Sequence, residues 1–180
     1  MPSSNYMPDA ARDPDAYVRS LLDMLGDRDP LAVMAELPGA VEQLVADVSN
    51  DSLRMPEAPD KWSIIEVIGH LFDTELVYRY RVVMILAHDA PEIQGYDEEA
   101  WVTVLGHQDA HLGELMVRLR ELRNANLGLY GSLNDEQLAR YGVHSERGNE
   151  SIGETITLLG AHDLVHRNQI ARIKDVLGVP

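Results

Sequence analysis

Apolar residues recur every three to four positions along most of the chain, and prolines and glycines cut that rhythm into segments. Val18, Leu21, Leu22 and Leu25 mark a first short helix, Asp15 to Leu25, which stops at Gly26. Asp29 suits an N-cap with Pro30 at the first helical position, opening a second segment that runs to about Val48. Pro38 lies inside that segment, removes a backbone donor, and is expected to bend or restart the helix. The linker DSLRMPEAPDK leads into a long third segment, Trp62 to Leu86, which ends near Asp89 and Pro91. After a loop with Gly95, the next helix is expected to begin near Asp97 and to cover Leu112 to Leu129, with Leu112, Leu115, Leu119 and Leu122 inward. A short turn of helix after Asn134 and a glycine-bearing loop, Gly142 to Asn149, precede the last helix, Ile152 to Leu177. No strand-like alternation exceeds a few residues. The pattern predicts an all-α protein: a four-helix bundle with a short extra N-terminal helix. It forms one domain over residues 13–180, behind a mobile tail over residues 1–12.

Histidines interrupt the apolar stripes where a plain core would carry leucine. Leu159, His162, His166 and Ile173 share one face of the last helix, so the two imidazoles stand one turn apart. That spacing lets both offer a nitrogen to one metal ion, and His70, inside the Trp62–Leu86 helix, can reach the same point from a facing helix. Three imidazoles leave a position open, as catalytic zinc sites do. The plainer alternative is three histidines bonded to buried carboxylates and waters. Both histidine helices open with a Ser-x-x-Glu capping box, Ser63 with Glu66 and Ser151 with Glu154. Glu66 therefore reads as a cap before it reads as a catalytic base. Asp73, one turn after His70, is a candidate to orient that imidazole, to act as a base, or to pair with Arg79 or Arg81. Asp163 lies about 100° around the helix from His162 and is expected to face elsewhere. His107 and His111 repeat the spacing, but Leu112, Leu115 and Leu119 define a different stripe, which places this pair towards solvent or at a helix edge. His88 sits at a helix end, and His144 in a loop that can rim a pocket.

Composition narrows the class. With 30 acidic and 15 basic residues the formal net charge is −15, which disfavours nucleic acid and anionic membranes as partners. No apolar run approaches the roughly 18–20 residues needed to span a bilayer, and the N-terminus has no basic start followed by an apolar stretch. Cysteine is absent, which excludes thiolate ligands and a cysteine nucleophile and fits a cytoplasmic setting.

The stretch KWSIIEVIGHLFDTE, with Trp62, Ser63, Glu66, His70, Leu71 and Asp73, resembles the second-helix signature of the DinB-like superfamily. SERGNESIGETITLLGAHDLVHRNQI resembles that superfamily's loop glycine, here Gly148, and its closing pair, here His162 and His166. The likeness extends from about Asp29 to Leu177, and all three ligand positions are kept. It implies a four-helix bundle, often a homodimer, with His70, His162 and His166 binding a divalent metal, commonly zinc or nickel. It also implies a small-molecule substrate and one of two activities: metal-dependent hydrolysis, or S-transfer from a low-molecular-weight thiol. Both need a nucleophile available at neutral pH, a water or a thiolate, which a metal supplies by lowering the pKa of what it binds. Without cysteine, any thiol must arrive as a co-substrate. Tyr96 and Trp101 are candidates for a pocket mouth, though helix packing accounts for them equally. The contrasting class is a non-catalytic module in which the metal ties two helices, or a small-molecule-binding stress-response protein.

Overall fold

The computed structural model describes residues 13–179; the tail expected over residues 1–12 lies outside them. Among these residues the chain forms α1 (Pro14–Leu25), α2 (Pro30–Val45), a short α3 (Asn50–Leu53), α4 (Ile64–Ala87), α5 (Glu98–Val104), α6 (Leu112–Tyr130), a short α7 (Asp135–Leu138) and α8 (Ile152–Leu177). Asp13 and Asp29 cap α1 and α2, each carboxylate accepting from a first-turn N–H at 3.0 Å. The long helices α2, α4, α6 and α8 make the predicted bundle around Val41, Ile65, Ile68, Leu71, Leu119, Ile170 and Ile173. α2 and α4 each pack against both α6 and α8. Helices consecutive in sequence, α2 then α4 and α6 then α8, therefore lie on the diagonals rather than side by side. The short extra helix α1 lies on α8, with Leu21 and Leu25 against Leu158, Ala161 and Leu164. No helix among the described residues is long and apolar enough to cross a membrane.

The structure departs from the sequence pattern at several points, each with a local cause. Pro38 does not restart α2, which continues through it to Val45 with the proline ring buried. The carbonyl that Pro38 leaves without an N–H is that of Met34, and the guanidinium Nη1 of Arg123 donates to it at 2.9 Å. The helix expected from Asp97 onward is two helices. Gly106 adopts the left-handed conformation (φ 67°), ends α5, and is followed by a 3₁₀ turn, His107–Asp109, before α6 starts. On α6, Leu115 and Leu119 are buried as expected, Leu112 and Leu122 only half-buried, and the polar Arg123 and Asn126 also face the core. The expected loop from Gly142 to Asn149 is instead part of a small sheet. β2 (Tyr141–His144) pairs antiparallel with β3 (Gly148–Ser151) and parallel with β1 (Glu92–Ile93). These strands are too short for alternation to declare them in sequence.

Candidate metal centre

Both helices that carry the histidines are fixed at their first turns. The Glu66 carboxylate accepts from the Ser63 N–H at 2.8 Å and from its hydroxyl at 2.8 Å. At α8, Glu154 accepts from the Ser151 N–H at 2.8 Å while the Ser151 hydroxyl accepts from the Glu154 N–H at 3.2 Å. Glu66 is thereby committed to the start of α4.

From these two helices His70, His162 and His166 converge, all three buried. His162 Nε2 lies 3.1 Å from His70 Nε2 and 2.9 Å from His166 Nε2. An imidazole nitrogen has a single in-plane position, holding either a proton or a lone pair. His162 Nε2 can satisfy one of its two close neighbours in that way but not both. A cation at the centre satisfies all three lone pairs together, and nitrogens around one tetrahedral zinc stand about 3.3 Å apart. His166 is held in the required tautomer, since its Nδ1–H donates to Gln169 Oε1 at 2.7 Å and turns the Nε2 lone pair to the centre. Burial pushes His166 down to about 4, opposed only in part by the Gln169 bond. Burial, then the neighbouring imidazoles, holds His70 and His162 well below the usual histidine value. The donors are neutral at pH 7, as divalent-ion ligands must be. Among the described residues no carboxylate or fourth histidine joins the cluster. The residues present fit a divalent ion with an open position.

Trp62 covers the site, its ring 4.8 Å from that of His70 and 6.4 Å from that of His166. Asp73 Oδ2 lies 2.7 Å from His107 Nε2, rather than bonding His70, Arg79 or Arg81. His107 is therefore not at the surface. The turn after Gly106 lays its ring across α4 at Gly69, where an added Cβ would come within 2.2 Å of the ring. His111, at the N-cap of α6, is exposed as expected. Asp163 points away from the triad and forms a bidentate pair with Arg123.

The triad lies on the wall of a cleft of about 1300 Å³. Tyr96 lines it, with its hydroxyl 3.2 Å from Thr74 Oγ1, which itself donates to the His70 carbonyl at 2.8 Å. Trp101 supports Tyr96 edge-on at 5.0 Å. The cleft also contains His144, as its loop position allowed, and Tyr78, Arg81 and Arg147, which the sequence pattern did not bring to the site. For Tyr78 and Arg81 a signal existed: His70, Thr74, Tyr78 and Arg81 follow helical spacing along one face of α4.

The model of the DinB superfamily matches residues 34–170 of this chain. The chain belongs to the DinB superfamily. Similar DinB relatives include the "Putative metal-dependent hydrolase YfiT" of Bacillus subtilis, 26% identical over 151 residues that cover 79% of this chain and 82% of the relative. Another is the "Putative metal-dependent hydrolase OB0782" of Oceanobacillus iheyensis, 28% identical over 145 residues, 78% of this chain and 83% of that one. The solved structure of YfiT, described as "a probable metal-dependent hydrolase with an unusual four-helix bundle topology", superposes with a TM-score of 0.78 at 24% identity. That superposition covers 84% of this chain and 87% of YfiT, and it shows that the two share a fold.

Proposed function

We propose that this protein is a divalent-metal-dependent enzyme that acts on a small molecule, with His70, His162 and His166 holding zinc or nickel. The observation that carries this reading is the convergence of three neutral Nε2 atoms on the wall of an open cleft, with no fourth protein donor among the described residues. A structural site closes its coordination shell, whereas a catalytic one keeps a place for what reacts. A bound ion there supplies Lewis acidity and a depressed pKa for a water or a thiol. The surrounding residues have distinct tasks. Gln169 fixes the tautomer of His166, and Trp62 shields the imidazoles from bulk water. Burial pushes the Tyr96 hydroxyl up, so it stays protonated as a hydrogen-bond donor at the cleft wall. Asp73 and Glu66, engaged with His107 and Ser63, act as supports and not as bases.

Hydrolysis is the first activity to test, because the similar relatives carry that name. S-transfer from a low-molecular-weight thiol is the second. It relies on the same open position, and the cysteine-free chain would take the thiol from solution. The deciding experiment is elemental analysis of purified protein beside His162→Ala, followed by ester hydrolysis and thiol-conjugation assays with and without a chelator. About one zinc or nickel per chain, lost in the variant together with a chelator-sensitive activity, is expected. Protein that holds no metal and resists reloading, or a variant that keeps its metal, would overturn the reading.

A further inference from the structure

Away from the triad, the cleft gathers N–H donors that lack acceptors. Arg81 is 4% exposed, and its Nη2 donates to the Gln94 carbonyl at 3.1 Å, but its Nε has no partner. The guanidinium lies over the Tyr78 ring at 5.1 Å and is paired with no carboxylate among the described residues. Arg147 gives its Nε to Glu150 at 2.6 Å and keeps a buried Nη2 without a partner. His144, 2% exposed, accepts at Nδ1 from the Glu146 N–H at 3.2 Å, which leaves its proton on an unpartnered Nε2. Arg81 and Arg147 both lie close enough to His144 to disfavour its protonation electrostatically. A buried guanidinium without a counter-charge is costly, and unsatisfied buried donors are rare in folded proteins. Here the unused groups are all donors, two of them on cations, and the residues that carry them all line the cleft that contains the three histidines.

We propose that Arg81, assisted by Arg147 and His144, is the seat for a carboxylate or phosphate group of the substrate whose reactive bond is presented to the three histidines. This rests on the metal-dependent reading for the reacting end and adds the substrate class for the other. The planar fork of Arg81 suits a two-oxygen anion, and Arg147 and His144 supply further donors to it. Arg81 stands three turns beyond His70 on one face of α4, about 16 Å of helix axis at 1.5 Å per residue. The substrate is therefore an extended molecule, with its anionic end several bonds from the centre of reaction.

The test is calorimetric titration of malonate and of inorganic phosphate, small enough to occupy the seat alone. It uses metal-loaded and chelator-treated protein at constant ionic strength, with metal content and helicity recorded for each sample. The wild-type chain is expected to bind at least one anion in both forms, and the tighter of the two identifies the carboxylate or phosphate class. Arg81→Met should weaken it about tenfold or more, the size of one lost charge-assisted hydrogen bond, while metal content is unchanged. If Arg81→Met loses helicity, Arg81→Lys takes its place. It keeps a cation without the fork and should also weaken binding about tenfold. Arg147→Gln should weaken it less. Failure of the wild type to bind either anion, unchanged affinity in the folded Arg81 variant, or binding that disappears with the metal would overturn the seat. The last result would place the anion on the ion instead. Loss of the metal reading shows separately, in the metal content of His162→Ala.

Discussion

At the residue scale, each histidine ring nitrogen in the core has one position to fill, and the partners differ. His162 directs Nε2 at two other nitrogens, His107 Nε2 meets Asp73, and His144 Nε2 meets nothing. The last has a pH consequence. Burial first, then the Arg147 and Arg81 guanidiniums, lower His144 from its ordinary 6.5 to about 4, with Glu150 opposing. Between those values the unfolded chain binds the extra proton, so this stabilising contribution is whole above about pH 6.5 and is lost as pH falls towards 4. Thermal melts of the wild type and of His144→Gln at pH 7 and pH 5 check this; the variant should lose less melting temperature on acidification. An equal loss in both would mean that His144 stays unprotonated in the unfolded chain or charged in the fold. The triad was legible in the sequence because helical periodicity predicts which residues share a face. His107 was not, because a left-handed glycine and a 3₁₀ turn rotate it off the stripe that its neighbours define. A lone arginine such as Arg147, in a turn between strands, carries no periodic signal at all.

At the element scale, close backbone approaches set the spacing of the helices. Gly160 of α8 faces Pro30 at the start of α2, and an added Cβ would lie 2.8 Å from Pro30 Cβ and 3.0 Å from its carbonyl oxygen. Backbone cannot step aside as a side-chain tip does. Gly160→Ala should therefore cost about 1–3 kcal/mol in urea denaturation, as overpacking does elsewhere. Gly69→Ala is expected to displace the His107 ring and break its contact with Asp73, with little effect on the α4 capping box. The histidine proton signals in NMR spectra would report that displacement directly. Element identity was readable for the long helices, whose caps and apolar spacing agree. It was less so where tertiary contacts decide. The continuity of α2 through Pro38 is supported by Arg123, 89 residues beyond Met34, which satisfies the freed Met34 carbonyl.

At the scale of the whole molecule, that arginine ties the bundle together. Arg123 of α6 bonds the Met34 carbonyl of α2, Glu75 of α4 at 2.6 Å and Asp163 of α8, and so touches all four long helices. Two carboxylates share one guanidinium. Burial raises the Glu75 pKa, Arg123 pulls against that rise, and Asp163 adds to it. Arg123→Met should destabilise the fold by about 3–5 kcal/mol, because it leaves carboxylates buried without their cation; equilibrium unfolding in urea measures this. Metal removal acts at the same scale. The proposed ion would join α4 to α8, so a chelator should lower the melting temperature, by an amount that grows with free metal relative to its dissociation constant. The diagonal order of the helices has one more effect. His70 and His162 are separated by 92 residues, and α2 finds one of its packing partners only in α8. On the ribosome, α4 emerges long before the last helix, with one imidazole of the three and no opposite wall. The three-nitrogen cluster is thus complete only once α8 has been made and has packed against α4. An ion offered before that point would meet one donor of the proposed site instead of three.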